Sequence, residues 1–325
     1  MGIRFLRAGL QTSIQDLGRS GLMNFGIPWG GAADSLSMKI ANLLLENPLG
    51  NPTFEISLLG PKIEFLCDLS IAIAGGQFSG SLNNDPIDNF RTYKIKSGDI
   101  LDISQAASGA RIYLAVSAQI DTPIILGSSA THIISKFGAN NGKPITSGEV
   151  IQLKEIRIAK EAVLDKKFHI NYSHNSHLRI VAGPERDSFP REFIEHFHQS
   201  IYQVSAQSNR MGIRLSPKSS TELRKIEPVK IQLLSSGLYP GSIQIPPDGN
   251  PIISFIEGQT IGGYPRIGHI IKSELHRLGQ LSPNDRVSFQ EISTEEAQKV
   301  LKKKQDLLIN LQESLGRQQG EILSI

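Results

Sequence analysis

Four stretches hold more glycine, proline and hydrogen-bonding side chains than a plain scaffold needs. The first runs Thr12-Ser13-Ile14-Gln15-Asp16-Leu17-Gly18-Arg19 and continues through Gly26-Ile27-Pro28-Trp29-Gly30-Gly31-Ala32-Ala33-Asp34. It is a glycine-punctuated loop leading into a helix, and helix N-termini present N–H groups to carboxylate or phosphate. Asp34 is also a good N-cap and would compete for the same donors. The stretch matches neither a P-loop nor Gly-x-Gly-x-x-Gly, so it carries no nucleotide fingerprint. The second stretch is Ser205-Ala206-Gln207-Ser208-Asn209-Arg210-Met211-Gly212-Ile213-Arg214-Leu215. Arg210 offers a planar fork to a carboxylate, either a ligand's or that of an internal ion pair. The third and fourth are Pro240-Gly241-Ser242-Ile243-Gln244-Ile245-Pro246-Pro247-Asp248-Gly249-Asn250-Pro251 and Glu257-Gly258-Gln259-Thr260-Ile261-Gly262-Gly263-Tyr264-Pro265. Gln244, Gln259, Thr260 and Tyr264 can converge on an amide-bearing ligand or set sheet corners, and Pro246-Pro247-Asp248-Gly249 predicts a tight turn.

Nucleophilic chemistry finds little support. There is no Gly-x-Ser-x-Gly, and Cys67, the single cysteine, lies in the apolar run Ile63-Glu64-Phe65-Leu66-Cys67, which predicts a buried thiol. Ser128 and Ser129 stand near His132, but nearness in sequence is not triad geometry. His169, His174, His177, His196 and His198 fit no metalloprotease spacing, and His174-x-x-His177 on a polar stretch reads as solvated, so no metal site is expected.

The elements that must position these residues are mostly strands. Short apolar runs, such as Ile71–Ala74, Ala110–Val116, Leu178–Val181 and Ile252–Ile256, alternate with turns built from 30 Gly and 17 Pro. One pattern recurs three times, at Ile95-Lys96-Ser97-Gly98-Asp99-Ile100, Ile145-Thr146-Ser147-Gly148-Glu149-Val150 and Leu281-Ser282-Pro283-Asn284-Asp285-Arg286. Each is a turn with a residue tolerant of positive φ, then a carboxylate able to accept local N–H groups, then a strand. A second echo links Ile3-Arg4-Phe5-Leu6-Arg7-Ala8-Gly9 to Leu178-Arg179-Ile180-Val181-Ala182-Gly183. Together they predict two similar β-barrel domains, 1–165 and 170–292. Two helices stand out. One follows Asp34, with Leu36, Ile40, Leu43 and Leu44 on one face. The other occupies the C-terminal segment 293–325, opening on Ser293-Thr294-Glu295-Glu296, a capping-box pattern, and running to about residue 316. That is roughly 35 Å, longer than a small barrel's cover, which leaves its outer half to pair with a second copy in a homo-oligomer.

Composition bounds the function. The chain has 325 residues, suited to two domains, and a net charge of +3. No basic cluster is interleaved with aromatics, so a nucleic-acid partner is not expected. No apolar run of about 18 residues exists and the start lacks an apolar signal region, so neither membrane nor secretion is expected. One cysteine forms no internal disulfide, which fits a reducing, cytoplasmic setting.

Taken in order, the motifs resemble the allophanate hydrolase subunit 2 family, also known as the KipA family or as the C component of 5-oxoprolinase, and often labelled biotin-dependent carboxyltransferase. The match rests on Thr12–Arg19, Gly26-Ile27-Pro28, Gly31–Asp34, Ala41-Asn42, Glu55, Gly60-Pro61, Arg111–Val116, Leu126-Gly127-Ser128, Ser208–Leu215, Gly241–Gly249 and Gln259–Pro265. The resemblance implies a mainly β fold of cyclophilin-like barrels. It implies a KipI-like partner protein and a LamB/YcsF-like partner protein, in an ATP-dependent 5-oxoprolinase that opens a lactam, with ATP held by the complex or by this chain. Relatives form the carboxyltransferase part of urea carboxylase, but this chain has no biotin carboxylase segment and no biotin attachment site. Another family role is regulatory, with KipA-like proteins antagonising a KipI-like kinase inhibitor. The candidate substrate-binding residues are Asp34, Asn42, Glu55, Ser128, Asn209, Arg210, Gln244, Gln259, Thr260 and Tyr264, with general base and nucleophile unassigned. Two departures stand out. Gly127-Ser128-Ser129-Ala130-Thr131-His132 replaces the family's usual Gly-Ser-Arg-Ser-Thr-Asp, and Glu257-Gly258-Gln259-Thr260 replaces Asp-Arg-Gln-Thr, so two arginines are missing.

Overall fold

A computed structural model describes residues 1–217 and 233–316. The chain falls into two compact units. The first holds Met1–Arg19, Gly30–Tyr172 and the described residues from Asp306; the second holds Ser20–Trp29 and, within Ser173–Gln305, the described residues. Among the described residues no helix is long and apolar enough to cross a membrane.

The first unit is built on a ten-stranded, largely antiparallel sheet curved into a half-barrel. Its backbone is the pair Leu69–Leu82 and Ile100–Val116, two strands too long for one barrel wall. Ile71 to Gly75 pairs with Val116 to Ile112, and the register slips after Gly75, so the two strands bend away as an arm ending near Asn83 and Asn84. Apolar side chains on the concave face, among them Ile3, Phe5, Phe54, Phe65, Leu101 and Leu114, form one core. The other face receives helix α1 (Ser35–Leu44), whose Ile40, Ala41, Leu43 and Leu44 pack with Ala72, Ala74 and Tyr113. Cys67 is buried as expected, and burial pushes its thiol up.

The second unit contains a closed barrel of seven strands: Asn175–Ala182, Arg266–Ile270, Ser242–Gln244, Ile252–Ser254, Gly212–Pro217, Tyr202–Val204 and Arg286–Glu291, the last pairing back onto the first. Closure removes sheet edges. Helix α2 (Arg191–Gln199) buries Phe193 and Phe197, and Phe197 stacks on Phe289 with ring centroids 4.9 Å apart. A one-turn helix, α3 (Leu275–Leu278), follows the barrel strand Arg266–Ile270.

All three repeated turns form as read. Gly98, Gly148 and Asn284 have φ of +94°, +87° and +74°. The carboxylate after each accepts the N–H three residues before it: Asp99 from Lys96 (2.7 Å), Glu149 from Thr146 (2.8 Å) and Asp285 from Ser282 (2.7 Å). Helix α4 (Thr294–Ser314) opens on the expected capping box, with Ser293 N–H donating to Glu296 Oε2 (2.9 Å) and Glu296 N–H to Ser293 Oγ (3.1 Å). Its outer half does not project. Leu308 and Leu311 are buried, Leu311 within the cluster around α1, because that half also carries an apolar stripe. The expected helical segment beyond residue 316 lies outside the described residues.

Candidate functional site

The sequence candidates divide between the units. In the first unit Asp34 caps α1, accepting from Ser37 N–H at Oδ1 (3.0 Å) and from Ser37 Oγ at Oδ2 (2.6 Å), and the Tyr172 hydroxyl also donates to Oδ2 (2.6 Å). The Asp34 N–H donates to Tyr113 Oη (2.7 Å), and Tyr113 donates onward to Glu55 Oε2 (2.7 Å). Glu55 Oε2 also accepts from Ala33 N–H (2.8 Å), and its Oε1 lies 3.3 Å from the Arg111 guanidinium. Burial, then the carboxylates of Glu55 and Asp34, push the Tyr113 phenol well above its ordinary range. It is a permanent donor there. Asn42 donates to Asn51 O (2.8 Å) and accepts from Asn47 (2.9 Å). Ser128 donates to Asp16 Oδ1 (2.6 Å), while Ser129 N–H donates to Asp16 Oδ2 (2.6 Å). Asp34, Asn42, Glu55 and Ser128 are thus tied into loop stems and helix ends. The buried Arg19 reinforces this region, donating to the carbonyls of Ile125 (3.0 Å) and Ala130 (3.0 Å) and lying over the Phe137 ring.

The second unit brings the remaining candidates close. The strand Ser242–Gln244 faces Arg266–Ile270 with a register slip between Ile243 and Gln244, so Ile243 pairs with Gly268 and Gln244 with Arg266. Such a bulge re-aims the side chain it carries. Gln244 is 5 % exposed, and its Oε1 has no hydrogen-bond partner among the described residues. The short ladder Ser236–Gly237 with Ile261–Gly262, extended by Leu238 N–H donating to Thr260 O (2.8 Å), sets Gly262 against it. A β-carbon on Gly262 would stand 2.9 Å from Gln244 Oε1, 3.0 Å from Gln259 Nε2 and 2.5 Å from a Leu238 methyl. Glycine at 262 is what lets Leu238, Gln244 and Gln259 approach this closely. Gln244 and Gly262 are buried, and Gln259 is exposed.

Arg210 resolves its two alternatives in favour of an internal ion pair. Its Nε lies 2.5 Å from Glu257 Oε1, with side chains 6 % and 1 % exposed, and Glu257 N–H donates to Arg210 O (2.8 Å). Asn209 Oδ1 accepts from Met211 N–H (2.8 Å), shaping the same turn. Gly258 is crowded: a β-carbon there would lie 2.7 Å from Met211 O and 2.7 Å from Ser254 Oγ. Tyr264 is 45 % exposed, and the predicted turn forms with Gly249 N–H donating to Pro246 O (2.9 Å). Sequence reasoning did not foresee the roles of Glu257 and Gly262. The signal for Gly262 was its place in Gly262-Gly263-Tyr264; the pairing of Glu257 with Arg210 had no local signal.

Residues 25–291 match the family described as carboxyltransferase domain, subdomain A and B. The chain belongs to this family. It is 34 % identical over 305 residues to the C component of 5-oxoprolinase from Escherichia coli (strain K12), covering 94 % of each chain. It is 30 % identical over 322 residues to the urea amidolyase of Saccharomyces cerevisiae, covering 93 % of this chain and 17 % of that one. The crystal structure of the K. lactis urea amidolyase matches the whole of this chain with a TM-score of 0.87 at 27 % identity, over 20 % of its own length. The chain thus matches the 5-oxoprolinase component over nearly its whole length and each of these urea amidolyases over a fifth or less. The motif resemblance and the mainly β carboxyltransferase fold are both borne out.

Proposed function

We propose that this carboxyltransferase-family chain is one component of an ATP-dependent, amide- or lactam-hydrolysing complex of the 5-oxoprolinase type, and that its second unit contributes the surface on which the amide is held. Asn209, Arg210, Gln244, Gln259, Thr260 and Tyr264 form or frame that surface. The observation that carries the reading is the unpartnered, buried Gln244 Oε1 beside Gln259 Nε2 over the bare Gly262. A buried acceptor without a partner costs about 1–3 kcal/mol, a cost that a ligand N–H seated on it would relieve. An acceptor and a donor side by side fit the N–H and C=O that share one edge of a lactam, a urea or a primary amide. An open-chain secondary amide in its trans form points the two groups apart. In this reading Gln244 accepts the substrate N–H and Gln259 donates to its carbonyl, holding it while the complex activates the carbonyl with ATP. The KipI-like and LamB/YcsF-like partners supply the remaining chemistry.

The test is to tag this chain in its own host, isolate it with its partners, and measure ADP release with 5-oxoproline, 2-pyrrolidinone and urea. Stimulation by at least one amide is expected, falling at least tenfold in Gln244→Leu, which removes the acceptor at similar volume. No stimulation by any of the three, or a Gln244→Leu complex as active as wild type, would refute the reading.

A further inference from the structure

One strand separates Gln244 from Arg214 in the closed barrel. Ile243 pairs with Ile253 and Gln244 with Ile252; on the other side of that strand Ile213 pairs with Ile253 and Arg214 with Ile252. Directly paired residues share a face, and successive residues alternate between faces. Ile243, Ile253 and Ile213 are buried on the core side. Gln244, Ile252 and Arg214 therefore form one row on the outer face of the barrel. Burial falls away along it: Gln244 is buried against Gly262, Ile252 is half-buried and Arg214 is exposed. Ser208 fixes the Arg214 backbone, accepting its N–H at Oγ (3.0 Å) and donating to its carbonyl (3.3 Å). Among the described residues no carboxylate answers the Arg214 guanidinium. The neighbouring arginines are committed. Arg266, on the far side of Gln244, is held by Glu185 through Nε (2.8 Å) and Nη2 (2.6 Å), and Arg210 by Glu257.

We propose that Arg214 is a specificity-determining residue of the amide surface: it receives a carboxylate borne on the carbon next to the amide nitrogen, while Gln244 accepts the N–H. This rests on the reading of the second unit as the amide surface. Cross-strand partners stand about 4.5–5.5 Å apart, so two steps put Arg214 about 10 Å from Gln244. Hydrogen bonds of about 2.8–2.9 Å at each end leave roughly 4 Å for the ligand to span. An amide nitrogen and a carboxylate joined through one carbon come close to that span. Ile252, between the two, offers an apolar side chain for a ring to lie on. The planar guanidinium suits a carboxylate through two parallel N–H bonds, and its exposure leaves the ion pair in contact with water, so no isolated charge is buried.

The experiment uses 5-oxoproline and 2-pyrrolidinone, two lactams that differ by one carboxylate. Their affinities for the complex isolated through this chain are measured by calorimetry in wild type, Arg214→Met and Arg214→Lys. At this exposed position methionine keeps an apolar stem and removes the charge. Arg214→Met is expected to weaken 5-oxoproline at least tenfold and to change 2-pyrrolidinone less than twofold, and Arg214→Lys to regain at least threefold for 5-oxoproline. An unmoved 5-oxoproline affinity, or equal weakening of both lactams, overturns the role of Arg214 and leaves the amide surface standing. Wild type that binds 2-pyrrolidinone and not 5-oxoproline does the same. Where only 5-oxoproline binds, the lysine variant decides, and no recovery overturns the assignment. Binding of neither lactam to wild type overturns the amide surface and Arg214 with it.

Discussion

Removing one member of the Arg210–Glu257 pair is expected to be among the most damaging single changes in the second unit. The Nε–Oε1 separation is 2.5 Å and the side chains are 6 % and 1 % exposed. Water cannot solvate whichever charge is left, and stranding a buried ion in this way costs about 3–5 kcal/mol. For a unit of this size each kcal/mol lowers the melting temperature by about 2–4 °C, which gives a drop of about 6–20 °C for Arg210→Ala or Glu257→Ala. The double replacement Arg210→Met with Glu257→Leu removes both charges and refills the space, so it is expected to melt within a few degrees of wild type. The chain has one tryptophan, Trp29, which meets Tyr239 edge-on at 6.3 Å within the second unit. Its fluorescence therefore follows unfolding of the unit that contains the pair. Single variants that melt with wild type, or a double variant that falls as far as either single, would refute the assignment of these residues as a mutually neutralising buried pair.

Two further outcomes follow from the geometry. Gly98→Ala and Gly148→Ala place a side chain where no atom lies within 4 Å, so each should cost about 1–2 kcal/mol through positive φ alone, whereas Asn284→Gly should be neutral or slightly stabilising; denaturant titration reads all three. His276 is held well below its ordinary range by burial, then by Lys304, whose Nζ lies 3.1 Å from Nδ1, and by Arg277. With the folded value depressed, the unfolded chain binds the proton first, so stability is complete above about pH 6.5 and declines as pH falls below it, by at most about 1.4 kcal/mol per unit for this group. His276→Asn should flatten that slope between about pH 6.5 and 5 in urea titrations, and an unchanged slope would contradict it.

What was legible in the sequence was local. The three turns needed only a residue tolerant of positive φ and a carboxylate one step later. The cap at Asp34 and the box at Ser293 to Glu296 needed only a few consecutive residues. Helix α2 was not foreseen: nine residues give Phe193 and Phe197 one repeat of helical spacing, too little to stand out among histidines and charges. The sequence assigns the outer half of α4 to a second copy because its apolar residues can serve an inner or an outer partner equally well. Pairings across long separations, such as Arg210 with Glu257 or Tyr113 with Glu55, had no sequence signal, since any acid could have met any base.

That difference bears on how motif residues are interpreted. Arg, Asp and Glu draw attention as site residues because they can bind, protonate or polarise. Here the buried ones are bonded to their own chain: Asp34 to a helix end, Glu55 to Tyr113 and Ala33, Arg210 to Glu257. Their chemistry holds two loops in shape, which requires fixed partners and so leaves them little to offer a substrate. Gln244 is the reverse case. It has no charge to neutralise, its oxygen is left without a partner among the described residues, and that oxygen comes within 2.9 Å of where a β-carbon on Gly262 would stand. An unfilled acceptor points to a ligand more directly than a charge already answered, and the ligand it would take is one that brings an N–H.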